Sequence, residues 1–254
     1  MPKRRELNER RLTKKQVQDL VKSGAVLNDR FTKAFEETYA NGELKRDLYY
    51  TLPGDRVLRV FAENDISLPG RGDIFSLEYM EKFALWYSRM KEDYAQKRGS
   101  SVQHWRYYSR HKQTLVEDVS VLVHSLAEWL DVPEALLDKT YKSLDLVSAA
   151  CSESDLDNVY VRHYDQIVAY VGEVIRTRVN GQWAVNTTHA GGDYPYINVG
   201  LEYVQYMPIN AVWSTLKGMD PIDLRKAAAD EVRLNSPKEK VHRYLLNKRT
   251  SSDT

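Results

Sequence analysis

The sequence predicts an α+β fold that is mostly helical, with a long helical hairpin and a small antiparallel β-sheet packed on a helix. Three observations carry that prediction. In Tyr164–Val179 the apolar residues Tyr164, Ile167, Val168, Val171, Val174 and Ile175 recur at spacings of three and four, which places them on one face of a helix. The period then changes. Asn180-Gly181 is a stop and turn signal, and Trp183-Ala184-Val185 and Tyr196-Ile197-Asn198-Val199 have the aromatic and β-branched composition of a two-stranded ribbon. Upstream, two long runs of helical spacing meet at Gly99-Ser100-Ser101, a link short enough to fold them back on each other.

Taken in order, Thr13-Lys14-Lys15-Gln16 has the form of a capping box, and Val17, Leu20 and Val21 give a short helix that Gly24 ends. Asn28 or Asp29 caps a second helix with Phe31, Ala34, Phe35 and Tyr39 on one side and Asn41-Gly42 as its stop. Leu48–Leu52 reads as a strand, whereas Val57–Phe61 suits strand or helix, because so short an apolar run has no diagnostic period. Leu68–Asp73 is a turn-rich connector. A long helix then starts at Ile74 or Ser76 with Leu77, Met80, Phe83, Ala84, Tyr87, Met90 and Tyr94 inward. The second arm carries Leu115, Val119, Leu122, Leu126 and Leu130, and Pro133 closes it. A short turn opens at Pro133, and a further helix spans Ser143 to Ala150. After the central helix and ribbon come a helix led by Pro208 and another from Ile222 to Arg233, capped by Asp220-Pro221. The expected organisation is a mainly helical region at 1–98, an α+β domain at 99–235 and a basic C-terminal tail at 236–254.

Composition excludes some classes. Apolar residues make up 42% of the chain and charged residues 29%, as in folded proteins rather than disordered ones. No apolar run reaches the roughly 18 to 20 residues that span a bilayer, so membrane insertion is not expected. The start, Met1-Pro2-Lys3-Arg4-Arg5, has no apolar stretch behind it, and a cytoplasmic location is the expectation. The single Cys151 fits a reducing compartment. Net charge is +1, yet residues 1–15 hold seven Lys/Arg against two acids and residues 233–254 six against two, leaving an acidic body between basic ends. Such ends suit an anionic partner or are simply solvated.

Chemistry-bearing candidates are sparse. Gly172-Glu173 is the most pointed feature of the central helix: glycine there costs about 1 kcal/mol against alanine, so another backbone is expected to approach it. Glu173 reads either as a catalytic carboxylate, in an enzyme built around Glu173, His189 and Asp193, or, the reading preferred because no second titrating partner is visible, as a structural carboxylate pairing with Arg176 or a strand residue, with Trp183 as part of the same scaffold. Thr187–Asp193 is a loop holding His189 and Asp193, two ligands where a zinc site needs three or four. His104, His111 and His124 lack the three- or four-residue spacing of a helical metal pair. Cys151 and His163 have no nucleophile motif around them. No metal or cofactor is called for. Residues 94–116 are more suggestive. They contain no acid, and they mix Lys97, Arg98, Arg106, Arg110 and Lys112 with Trp105, Tyr107 and Tyr108, the cations and base-stacking faces of a sequence-tolerant nucleic-acid surface.

Ser143-Leu144, the VGEVI of Val171–Ile175, Gly181-Gln182-Trp183 and the Pro208–Gly218 helix together resemble a loosely defined group of uncharacterised bacterial proteins. In that group a helix-borne Gly-Glu-Val motif precedes a Gly-x-Trp strand, a second strand and a Pro-led helix. The resemblance covers residues 134–220 and implies a bacterial cytosolic α+β module without an assigned activity. With seventeen Tyr and five Trp and no assembled catalytic set, the functional expectation is a non-enzymatic protein-interaction module: an adaptor, regulator or immunity-type binder with a protein partner. The second reading is a nucleic-acid-binding accessory protein using residues 94–116 and the basic termini.

Overall fold

A computed structural model describes residues 11–38, 42–187, 193–201 and 203–239. Over half of it is helical, 54% against 15% strand, with antiparallel sheets packed against helices, so the α+β class holds. The chain divides into two compact units, residues 1–95 and 96–254.

In the first unit, α1 (Lys14–Lys22) opens on the Thr13–Gln16 capping box, β1 is Val26–Leu27, and α2 (Asp29–Ala34) is capped by the Asn28 side chain. Helix α2 stops well short of the expected Asn41-Gly42, because the chain turns at Phe35 into β2 (Glu37–Thr38), which pairs with β3 (Leu44–Lys45). Strands β4 (Leu48–Leu52), β5 (Arg56–Val60) and β6 (Gly72–Ser76) join β1 in an antiparallel sheet of order β1-β4-β5-β6. The ambiguous run Val57–Phe61 is therefore strand over most of its length. Its register, Val57 opposite Thr51 and Phe75, and Leu58 opposite Tyr50 and Ile74, sends alternate residues to opposite faces. One face buries Tyr49 and Val57 with Phe31, Phe35 and Met80, and the other buries Leu52 and Leu58 with Val17. The expectation of a mainly helical region omits this sheet. Helix α3 (Leu77–Ala95) begins only after β6 has claimed Ile74 and Ser76, and Tyr94 near its end is exposed rather than inward.

The second unit departs from prediction at its start. The expected second arm of the hairpin is not one helix but three pieces: α4 (Ser101–Tyr108), a 3-10 turn at Lys112–Val116 and α5 (Val119–Trp129). The break follows from the residues. Ser109 takes extended backbone and its hydroxyl accepts the Lys112 N–H, while Lys112 adopts φ +47. Beyond α5 come a short 3-10 turn (Glu134–Leu136), α6 (Leu144–Glu153), α7 (Leu156–Asn158), a π-helical turn at Val159–His163 and α8 (Tyr164–Val179). Helix α8 is more than amphipathic. From Tyr164 to Ile175 every residue but Gln166 is buried, as in a helix enclosed on all sides. It ends as its sequence dictates, with Asn180 left-handed at φ +50.

Strands β7 (Gln182–Asn186) and β8 (Tyr194–Asn198) form the expected ribbon, and β9 (Gln205–Tyr206) adds a third strand that two residues could not signal. Helix α9 (Pro208–Leu216) has Pro at its first turn. Helix α10 (Leu224–Leu234) is capped by Asp223 rather than Asp220, so Pro221 precedes the helix instead of opening it. Most of the expected basic tail, and His189 of the loop, lie outside the described residues. No helix among the described residues is long and apolar enough to cross a membrane.

Candidate functional site

Two buried carboxylates on α8 define two different places. Glu173 is surrounded by donors: Arg176 Nε at 2.7 Å and Nη2 at 2.9 Å, the Trp183 indole N–H at 2.9 Å and Lys139 Nζ at 3.0 Å. Burial alone would push its pKa up, but these donors outweigh it and hold the carboxyl at about 2. It is a permanently charged, saturated group, unsuited to proton transfer. Gly172 meets the same tryptophan. A Cβ built there would fall on the Trp183 indole at Cη2 and Cζ2 and lie 3.1 Å from Pro208 Cγ. The close neighbour expected from the glycine is thus a side chain, not a backbone. Gly172, Glu173 and Trp183 are brought together as one joint between α8 and β7.

The basic and aromatic stretch is dispersed. Trp105 is 1% exposed and belongs to the core, so it offers no face to a base. Arg98 is also buried, its guanidinium 4.7 Å from the Tyr107 ring centre and donating to the Tyr108 hydroxyl at 3.0 Å. Both correct the nucleic-acid assignment of those residues. Lys97, Arg106, Tyr107, Arg110 and Lys112 remain exposed.

Six residues converge elsewhere. Where α4 breaks, Tyr108, Arg110 and His111 face the π-turn and the first residues of α8, chiefly Tyr160, Arg162 and Asp165, across a cleft of about 180 Å3. A π-turn locally widens a helix and is frequent at functional positions. Asp165 ties the two sides together: its Oδ2 accepts the backbone N–H groups of Arg110 at 2.7 Å and His111 at 3.0 Å. Its Oδ1 is buried and has no hydrogen-bond partner, nor has the hydroxyl of the neighbouring Tyr164, which also lines the cleft. Burial pushes the Tyr164 pKa well up, and the charges of Tyr160, Asp165 and Tyr108 add to it, so the phenol keeps its proton. On the rim, neither Arg110 nor Arg162 pairs with an acid among the described residues. His111 is engaged, with Nδ1 2.8 Å from Asp118. Tyr107, 58% exposed, and Val161, 50% exposed, add apolar surface next to the cleft residues Tyr108 and Tyr160.

No protein-family model, curated protein or solved structure matches the chain. The reading of the cleft therefore stands on its own chemistry.

Other titratable groups are committed elsewhere. His104 is buried among Tyr108, Tyr160 and Tyr164, with ring centres 4.6, 4.7 and 5.3 Å away; burial, aided by Arg98 and Lys217, drives its pKa down to about 3. Burial raises the Cys151 thiol to about 12. A second cleft, about 260 Å3, is lined by His124, Glu128 and Glu134, whose carboxylates take up both imidazole nitrogens at 3.6 and 2.9 Å. Among the described residues no group of three or more His, Cys, Asp or Glu is arranged to hold a metal ion. Asp193 receives a hydrogen bond from Gln113, and His163 is stacked on Trp129 with its Nδ1 on Gln166.

Sequence reading named Arg110 but missed Arg162, Tyr160 and Asp165. A signal was present. Residues 104–111, HWRYYSRH, and 159–165, VYVRHYD, are two Tyr, Arg and His runs of like composition, and the structure places them on opposite sides of one cleft.

Proposed function

We propose that residues 96–254 form a non-enzymatic protein-interaction module, of adaptor, regulator or immunity type, that acts in the bacterial cytoplasm and docks an acidic segment of a partner protein on the cleft of Tyr108, Arg110, Tyr160 and Arg162. The single observation that carries this reading is the pairing of tyrosines with two arginines that meet no acid among the described residues. Tyrosine and arginine are the residues on which binding energy concentrates at protein interfaces, and a free guanidinium on a rim is complementary to carboxylates. The groups that chemistry would need point the same way: Glu173 is neutralised by cations, His104 resists protonation and the Cys151 thiol resists ionisation.

A second reading, single-stranded nucleic acid, draws on Arg106, Arg110, Lys112 and Arg162, which pair with no acid among the described residues, beside exposed Tyr107. The loss of Trp105 to the core and the carboxylate of Asp165 inside the cleft weigh against it. Fluorescence anisotropy of the full chain with a labelled acidic peptide and with random single-stranded RNA, between about 50 and 200 mM salt, separates the two. The protein reading expects peptide binding that Arg110→Glu/Arg162→Glu abolishes. RNA binding with a steep salt slope, and no peptide binding, would transfer the cleft to the second reading.

A further inference from the structure

We infer that the acidic segment taken at the rim of this cleft is residues 153–157 of a second copy of the chain, the two copies being joined as a two-fold homodimer. This rests on the protein-binding reading above and names its partner. Helix α7, the π-turn and α8 follow one another without an intervening residue, and the charge changes sign along their exposed side. Glu153 ends α6, and Asp155 and Asp157 lie at the start of α7; all three are exposed. Arg162 is exposed on the π-turn, with Arg110 lining the same cleft. Glu153 and Asp157 meet no cation, and Arg110 and Arg162 no acid, among the described residues. Asp155 caps α7, accepting the Asn158 N–H at 3.2 Å. Complementary charges thus lie on one surface without meeting each other.

Order along the chain sets the geometry. A stretch that is acidic at one end and basic at the other is complementary to itself when two copies run antiparallel, and a two-fold axis imposes that arrangement. Asp157 and Arg162 are ~5 positions apart, about 7 Å along a helix, a gap that an arginine side chain spans. Asp157 of each protomer then meets Arg162 of the other. Val161, 50% exposed, lies one turn on from Asp157, shares that side of the helix and leaves water against its own copy near the axis. Acidic residues elsewhere in the chain are engaged locally: Glu36 receives Arg46, Glu37 the Tyr87 hydroxyl, and Asp118 is held by His111 and Thr114. At a net charge of +1, two copies approach with little long-range repulsion.

Sedimentation velocity of the full chain between about 1 and 100 µM tests this, and a monomer–dimer equilibrium is the expected result. Arg162→Asp and Asp157→Arg each set like charges against one another at both ends of the interface, so each alone should weaken association by about 10-fold or more. The two together reverse the pairs and should restore association to within about threefold of the original chain, a rescue that a merely structural role would not give. Thermal unfolding of each variant reports whether it folds. Excess labelled acidic peptide should return the dimer to monomer, because both occupy the same arginine. Monomer at every concentration, with the acidic peptide still bound, overturns the homodimer and leaves the protein-binding reading intact. Monomer with no peptide binding overturns both. A dimer that is indifferent to the single variants, or that the double variant fails to restore, overturns this interface.

Discussion

Glu173 and Asp165 lie eight residues apart on the same helix, 6% and 7% exposed, and differ in what surrounds them. Glu173 has four donor contacts from three side chains and a glycine beneath it that lets an indole close over the site. Asp165 has two backbone N–H groups on one oxygen and nothing on the other. Glu173 has every lone pair met and belongs to the fold; Asp165 is left half met, beside a π-turn and two arginines that pair with no acid among the described residues. The contrast makes a prediction of kind. Variants at Glu173 should cost stability, and variants at Asp165 should cost recognition.

The largest effect is expected from Glu173→Ala. Removing one partner of a buried ion cluster costs about 3–5 kcal/mol; because Arg176 and Lys139 are 35% and 44% exposed and can turn to water, the lower end, about 3 kcal/mol, is expected in urea unfolding. A loss below about 1 kcal/mol would erase the contrast. Acid should act through the same group. Its folded pKa of about 2 lies below the ordinary 4.5, so its stabilisation is full above pH 4.5 and is lost as pH falls from 4.5 toward 2, on the order of 3 kcal/mol in all. His104 gives a separate limb. Its folded pKa of about 3 lies below 6.5, so the unfolded chain takes a proton that the native chain refuses, and stability declines as pH drops from 6.5 toward 3. Unfolding of Glu173→Gln followed from pH 7 to pH 3 should keep the His104 decline from 6.5 toward 3 and lose only the added steepness below 4.5.

Next in size is Gly172→Ala. The methyl meets the Trp183 ring and Pro208, so despite alanine's better helix propensity the variant should lose about 2 kcal/mol, with a change in tryptophan fluorescence as the indole is displaced. The smallest stability effect is expected at the cleft: Asp165→Asn should shift unfolding by less than about 1 kcal/mol, since the two backbone N–H groups keep an acceptor. A loss as large as that at Glu173 would make Asp165 a second structural carboxylate.

How far this contrast was legible in the sequence depends on the period of the residues involved. Tyr164–Val179, Asn180-Gly181 and the Trp183 strand have full turns or full alternation, and they fold as read; so do Thr13–Gln16 and Asn28 as caps. Gly172 announced a close neighbour, read as a backbone, but not that it would be an indole eleven residues on. The cleft was hidden for the opposite reason. Its walls are the places where periodicity fails: Ser109 and Lys112 break a helix whose flanking leucines suggest continuity, and the π-turn at Val159–His163 shifts the phase of a helix without any residue type that marks it. Trp105 among basic residues looked like a stacking surface, because composition does not say which side of α4 is covered.

The central claim is that Arg110 and Arg162 hold an acidic partner by position rather than by overall charge. The most direct measurement compares the affinity of the labelled acidic peptide for Arg110→Glu/Arg162→Glu with that for Lys226→Glu/Arg233→Glu, an equal change of charge at two residues that both pair with Asp230 on α10. A loss of 30-fold or more in the first variant and less than about threefold in the second is predicted. Equal losses in the two variants, or none in the first, would contradict it.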